Sequence, residues 1–537
     1  MIGKFLKDRQ YPLAAALLFV VYLAVGVSIY SDYGISSDEI SQRNFGLHSW
    51  EYMASGDLSS PPARHDWDHG PALQIFLVAV EKVMHLEDTR EIFLMRHLVN
   101  FLVFFAAVWF FYLLCKYHFG DRKIAILGAL FLIVSPRIFA HSFYNPKDLP
   151  FLSFFVISMY TLIRLSDRRD YRSAAAHAIA CAFLIDIRIT GVVMVAITFF
   201  SLGGEWIGAR RDNGKPARVV KVTLAYLAVL IPSLIAFWPY LWHDPLGNFI
   251  SAFRSMSHYR WPGRVLYFGS RIKGSELPWH YIPVWLIITT PLLYVATFFA
   301  GLGIFVSGFV RDPSVYIFRD RTHRREAVFF LCFFLPLAAV IALKSVLYNG
   351  WRHMFFIYPA FLLISLGGVA GAFRFIKTRP GHRSRRYKGV MVVIIVLSVF
   401  SVSYSMLINH PYQNVYFNEL VPKGESLQSL FDLDYWGLSY REGLEYILSH
   451  DDEEAIRIGG ANSSVVKNRR ILEKTDRERL RYVAEPEDAT YYLSHRFDGK
   501  KAFPGGEEYY SIKAYGTKIM IVYKRQARPP SVTDRVR

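Results

Sequence analysis

Cysteine is almost missing from this chain of 537 residues. The three present, Cys115, Cys181 and Cys332, all fall in apolar stretches. That excludes a disulfide framework and a closed zinc cluster, and leaves the thiols as packing residues. The chain also lacks a glycine-rich dinucleotide fingerprint and a phosphate-binding P-loop, so no nucleotide-sugar domain of that kind is legible. No tandem repeat or low-complexity linker interrupts it. Acidic residues are scarce beside basic ones, 44 against 62, for a formal net charge of +18. Such an excess suits either nucleic acid or a membrane surface, and the distribution of the charges separates the two.

Apolar residues are abundant, 53% of the chain with 16% aromatic, and they cluster in runs long enough to cross a hydrocarbon slab at 1.5 Å per residue. Spans are expected near 11–30, 93–115, 124–140, 151–163, 173–187, 190–206, 219–240, 282–309, 327–344, 354–373 and 390–408, about eleven in all. The first follows Lys4, Lys7 and Arg9 but has no small-residue cleavage site before Asp32, so it reads as a retained helix rather than a leader.

Alternate loops are dense in Arg and Lys: Lys116, Arg122 and Lys123; Arg164, Arg168, Arg169 and Arg172; Arg210, Arg211, Lys215 and Arg218; Arg319, Arg321, Arg324 and Arg325; and 379–388. The positive-inside rule makes these cytoplasmic and accounts for the charge without nucleic acid. The loops 31–92, 141–150, 241–281 and 345–353, and the tail from Asn409, then lie outside. In the first of them, 40–53 and 72–84 read as short helices lying at the membrane interface. In the tail, strand-like runs at 455–458, 489–493 and 519–523 and a helical pattern at 440–448 predict a small α/β unit. The expected fold is thus an all-α polytopic membrane domain, 1–408, with an extracytoplasmic α/β domain, 409–537.

The conspicuous polar residues gather on the outer side: Asp38 and Glu39; His65, Asp66, Asp68 and His69; Arg96; His141, Asn145, Lys147 and Asp148; Arg352 and His353. The Asp38-Glu39 pair also suits the beginning of a helix, where Ser36 or Ser37 caps and carboxylates favour the positive dipole end. Arginines and lysines at span ends equally suit headgroup contact. A carboxylate pair facing two arginines and a lysine, however, is the pattern of a general base opposite an anion cradle. Transfer of a sugar from a lipid phosphate to a hydroxyl needs both at a membrane surface. His65, Asp66, Asp68 and His69 suit a structural or phosphate-contacting role better than a divalent metal, for which they are also candidates, since their spacing matches no closed zinc pattern. No cofactor is otherwise called for.

Ser37-Asp38-Glu39, His69-Gly70-Pro71, Arg96, Asn145-Pro146-Lys147-Asp148-Leu149-Pro150, and Trp351-Arg352-His353 with Tyr358-Pro359 occur in this order across residues 10 to 408. In order and topology the chain resembles the GT-C-fold glycosyltransferases, in the branch of protein O-mannosyltransferases and bacterial aminoarabinose transferases. The resemblance implies a catalytic aspartate at Asp38 with Glu39 beside it, and a supporting acidic residue at Asp148, with Asp68 nearby. It implies donor-phosphate contacts from Arg96, Arg352, His353, His69 and Lys147. His69 stands where the family often has lysine.

It further implies an inverting transfer from a polyprenyl-phosphate-linked sugar to a lipid, glycan or protein hydroxyl on the outer face of a bacterial inner membrane. The competing readings are a flippase for lipid-linked glycan and a noncatalytic scaffold for envelope assembly. Transporters, though, hold their charges near the bilayer midplane rather than at one face.

Overall fold

The computed structural model describes residues 2–55, 69–212, 214–257, 261–495, 503 and 505–526. Helix α1 (Ile2–Ile29) leads through a short loop to α2 (Glu39–Ser55), and α3 (Ala72–Val83) follows. These last two are the short helices expected in the first loop. They pack as a pair, and Gly46 permits it, because a Cβ there would press on the backbone of Gln74. α4 (Thr89–Phe119) starts on an Asp88 cap and ends at Gly120 in the left-handed conformation. α5 (Arg122–Ile133) and α6 (Pro136–Tyr144) meet at a 65° bend before Pro136, where proline can begin a helix but not continue one.

α7 (Asp148–Arg168) and α8 (Tyr171–Ile187) form an antiparallel hairpin, followed by α9 (Val192–Arg211) and α10 (Pro216–Phe237). Then come α11 (Pro245–Ser257), a hairpin of β1 (Arg264–Tyr267) and β2 (Ser270–Lys273), α12 (Tyr281–Ile288), α13 (Leu292–Arg311), α14 (Arg321–Ala342), α15 (Tyr358–Lys377) and α16 (Gly381–Ile408).

Among the described residues nine helices are long and apolar enough to cross a membrane, ten counting the bent pair. Of the eleven expected spans the remaining one is α8, which is shorter than the others. The stretch read as one span over 282–309 is α12 and α13, separated at Thr289-Thr290-Pro291, and only α13 has the length. α8, with 17 residues, is the helix that falls short. It nevertheless returns the chain to the level where α7 began, because Arg188 at its end pairs with Asp148 at the start of α7.

The tail builds a five-stranded mixed sheet from β3 (Ile456–Gly460), β4 (Leu480–Tyr482), β5 (Tyr491–Ser494), β6 (Gly506–Ala514) and β7 (Thr517–Arg525), in the order β4-β3-β5-β7-β6. β3 runs parallel to β4 and β5, and β5-β7-β6 are antiparallel. The expected strands are β3, β5 and β7; β4 and β6 are additional.

Helices α17 (Glu425–Leu430), α18 (Tyr440–His450), α19 (Ser464–Arg469) and α20 (Lys474–Arg479) complete the tail. α18 carries the predicted periodicity and buries Leu444 and Ile447 against the sheet. One continuous apolar cluster joins bundle and tail, and includes Phe143 and Trp285 with Phe417 and Trp436. The chain after α16 is strapped to the bundle by the Asn418 amide, which donates to the carbonyls of Ile287 and Thr290 at 2.6 and 2.8 Å.

The ends of the bundle differ in charge. At one end Arg169 and Arg324 both pair with buried Glu205, and Arg325 pairs with Asp167. At the other end, against the tail, lie Asp38, Asp148, Arg188 and Arg352. The alternation of loops read from the arginines therefore corresponds to two real ends of the molecule.

Candidate active site

Loop 31–38 reaches the site because α2 begins with its own cap. Glu39 turns back so that Oε1 accepts from the Ser36 amide at 2.6 Å, while Oε2 bonds His97 Nε2 at 2.8 Å. This is the glutamate half of a capping box, and the Ser36 hydroxyl instead donates to the Tyr144 carbonyl. Both oxygens of Glu39 are thus occupied and buried. It positions the loop, and Asp38 presents the accessible carboxylate.

The second segment is set by Asn145. Its Oδ1 accepts from the amides of Lys147 and Asp148, at 3.2 and 2.8 Å, which turns the chain into α7 with Asp148 in the first helical turn. The third is set by Asn349-Gly350, both in the left-handed region at φ 56° and 68°, a turn that glycine and asparagine tolerate. Beyond it Trp351 Nε1 donates to Thr289 at 2.8 Å and fixes Arg352 at the mouth of α15.

Arg352 ties the segments together. Its Nη1 lies 2.8 Å from Asp148 Oδ2 and 3.2 Å from Asp38 Oδ2. Arg188 pairs with the other oxygen of Asp148. Asp148 is closed off at 1% exposure, whereas the Asp38 side chain is 35% exposed and so can meet a second molecule. The Arg352 guanidinium also lies over the rings of Tyr348 and Trp436, and His353 packs edge-on against Tyr348. Lys147 is half-buried beside these groups. Burial and then Arg188 pull its ammonium down to about 7, against the opposing pull of Asp148 and Asp38.

His69 lies on the same side, with its ring on Phe45 and its Nε2 unpartnered among the described residues. Burial, followed by Lys147 and Arg188, pushes its pKa well below the ordinary histidine value. At neutral pH His69 is therefore an uncharged imidazole, unlike the lysine that often stands there in the family it resembles. Gly70 follows it against Asp186, whose carboxylate a Cβ would strike.

Arg96 is not brought to the cluster. Its Nε donates to Glu81 at 2.7 Å and its Nη1 to Gln74 at 3.0 Å, so it ties α4 to α3. His65, Asp66 and Asp68 lie outside the described residues. Among the described residues no three metal-ligating side chains converge.

Two participants escaped the sequence reading. Arg188 stands in the break between α8 and α9, and the rule that singled out Arg352, an arginine at the outer end of a span, applies equally to it. The other is the tail. The Asn468 amide exchanges hydrogen bonds with both backbone groups of Ile35, at 2.9 and 3.2 Å, and Lys467 Nζ donates to the Ser37 carbonyl at 3.1 Å. No local signal in 467–468 announces this.

Residues 68–243 match the family model described as dolichyl-phosphate-mannose-protein mannosyltransferase. No curated protein matches the chain. Among solved structures, the oligosaccharyltransferase of Archaeoglobus fulgidus, tethered to an acceptor peptide, superposes with a TM-score of 0.55 at 10% identity over 98% of this chain and 76% of that one.

The chain has the GT-C fold. ArnT from Cupriavidus metallidurans bound to undecaprenyl phosphate gives a TM-score of 0.46 at 14% identity, covering 96% of this chain and 98% of that one. The matched family segment supplies the GT-C bundle with Gly70, Arg96, Lys147, Asp148 and Arg188, while Asp38, Arg352 and the tail lie beyond it.

Proposed function

We propose that the protein is a membrane glycosyltransferase that moves a sugar from a polyprenyl-phosphate donor to a hydroxyl acceptor. The observation that carries the reading is a half-exposed carboxylate, Asp38, held beside Arg352 and close to Arg188 and Lys147 at one end of an apolar bundle. The bundle lets the donor's lipid stay in the bilayer while its phosphate meets the cations. Arg352 Nε and Arg188 Nε are buried and have no partner among the described residues, so each has an N–H to offer phosphate oxygens. The mannosyltransferase family match to 68–243 points to the same chemistry.

In this mechanism Asp38 takes the proton of the acceptor hydroxyl as its oxygen attacks the anomeric carbon. The bond from that carbon to the phosphate oxygen breaks on the opposite face, and the charge left on the phosphate is stabilised by Arg352, Arg188 and Lys147. A single displacement of this kind inverts the anomeric centre. Asp148 holds the two arginines in register and takes no part in proton transfer. The arginine-rich end faces the cytoplasm in this reading, which puts the reaction on the outer face of a bacterial inner membrane.

The test is turnover of a radiolabelled undecaprenyl-phosphate sugar by the purified protein in nanodiscs, with release of undecaprenyl phosphate measured alongside. Movement of the intact donor across a proteoliposome bilayer without cleavage would instead identify a flippase. Neither cleavage nor movement would leave an assembly scaffold.

A further inference from the structure

At the arginine-rich end, remote from Asp38, a cavity of about 860 Å³ opens between α5, α13, α14, α15 and α16. Its walls are apolar, formed by Phe305, Leu363, Phe373 and Ile395, and its rim carries Lys123, Arg374, Lys377 and Lys388. Two acidic residues also line it. Asp121 is already used, capping α5 through the Lys123 amide at 2.7 Å, and Glu326 lies in the field of Arg374 and His323. The buried Nδ1 of His118, on the same wall, has no partner among the described residues.

α16 makes the cavity a wedge open to the bilayer. It presents Val392, Val393, Val396, Leu397 and Phe400 as exposed apolar side chains, and little of its length is buried in the bundle. The neighbouring Gly367 on α15 has open space where a Cβ would stand.

We propose that this wedge is a binding site for an anionic membrane phospholipid, with the headgroup phosphate on the lysine and arginine rim and an acyl chain along the apolar wall. Charge complementarity selects the headgroup, and the dry wall selects a lipid over free phosphate. Such a lipid fills the seam between α16 and the rest of the bundle, and so couples the last span, which leads into the tail, to α13 and α15.

The test is native mass spectrometry of the delipidated full-length protein, titrated with phosphatidylglycerol or phosphatidylcholine of identical acyl chains. Phosphatidylglycerol should bind at least tenfold more tightly. Arg374→Gln with Lys377→Gln should lower that affinity at least tenfold, whereas Arg383→Gln with Arg385→Gln, at the same end but off the rim, should change it less than twofold. Gly367→Leu fills the cavity at a helical position where leucine is the better helix former, and should weaken binding of both lipids while the protein stays folded. The proposal is overturned if the two lipids bind alike, if Gly367→Leu binds both as the wild type does, or if undecaprenyl phosphate displaces phosphatidylglycerol at lower concentration.

Discussion

Asp38 differs from the other carboxylates of the site in what it has left to give. Asp148 is sealed between two arginines and Glu39 has both oxygens committed, whereas Asp38 shares a single contact with Arg352 and remains open. Asp38→Asn should therefore cut turnover by at least about 10²-fold, the ordinary worth of a positioned base. Donor affinity, measured separately by equilibrium binding, should hold or tighten, because Arg352 loses a competing anion. Turnover near the wild-type rate would refute the assignment.

Lys147 gives a second expectation at this scale. With its pKa brought down to about 7 by burial and Arg188, it is charged on the acid side of that value and neutral on the alkaline side. The donor's phosphodiester keeps its single charge throughout, so donor affinity should be greatest below about pH 7 and decline above it. Lys147→Met should weaken binding and flatten the profile. A slope that persists in Lys147→Met would assign the titration to another group.

Individual elements pack along their lengths and are fixed in register by contacts at their ends. α2 begins where Glu39 closes back on Ser36, and Glu39→Gln weakens that bond and the His97 contact without removing either neighbour. The expected outcome is a loss of about 1–3 kcal/mol in unfolding free energy, the cost of a poorly satisfied buried group, with turnover reduced far less than in Asp38→Asn. Chemical denaturation with parallel assays distinguishes the two effects. From the tail, α19 grips the same loop through Asn468 and Lys467. Asn468→Ala removes both bonds to Ile35 and should lower the turnover rate while donor affinity stays unchanged, since the phosphate contacts lie on other elements. An unchanged turnover rate would show that the loop keeps its place without the tail.

At the scale of the molecule, two chemically different ends follow from alternate loops carrying opposite demands. The three native cysteines are buried, so cysteines introduced at exposed positions should report against a quiet background. Ser426→Cys, in the tail, should react with an impermeant thiol reagent in sealed right-side-out vesicles, and Lys215→Cys, in an arginine-rich loop, should not. Labelling of Lys215→Cys would reverse the orientation and place Asp38 on the cytoplasmic side.

Local chemistry along the chain determined much of this protein. Apolar runs of spanning length, arginine-rich alternate loops, two short helices in the first loop and the pairing of Asp38 with cations are all written in residue type and spacing, because hydrophobic length and charge asymmetry act without knowledge of the fold. Tertiary structure alone decided which cations meet. Arg96 satisfied the same sequence criterion as Arg352, yet it turned to Glu81, while Arg188, in a tight break between two helices, closed on Asp148. The protonation of His69 was likewise settled by packing, since desolvation beside Lys147 and Arg188 pushes its pKa down. The grip of Asn468 on Ile35 spans 433 residues of chain. Contacts of that range leave no periodicity to read and arise only when bundle and tail share one core.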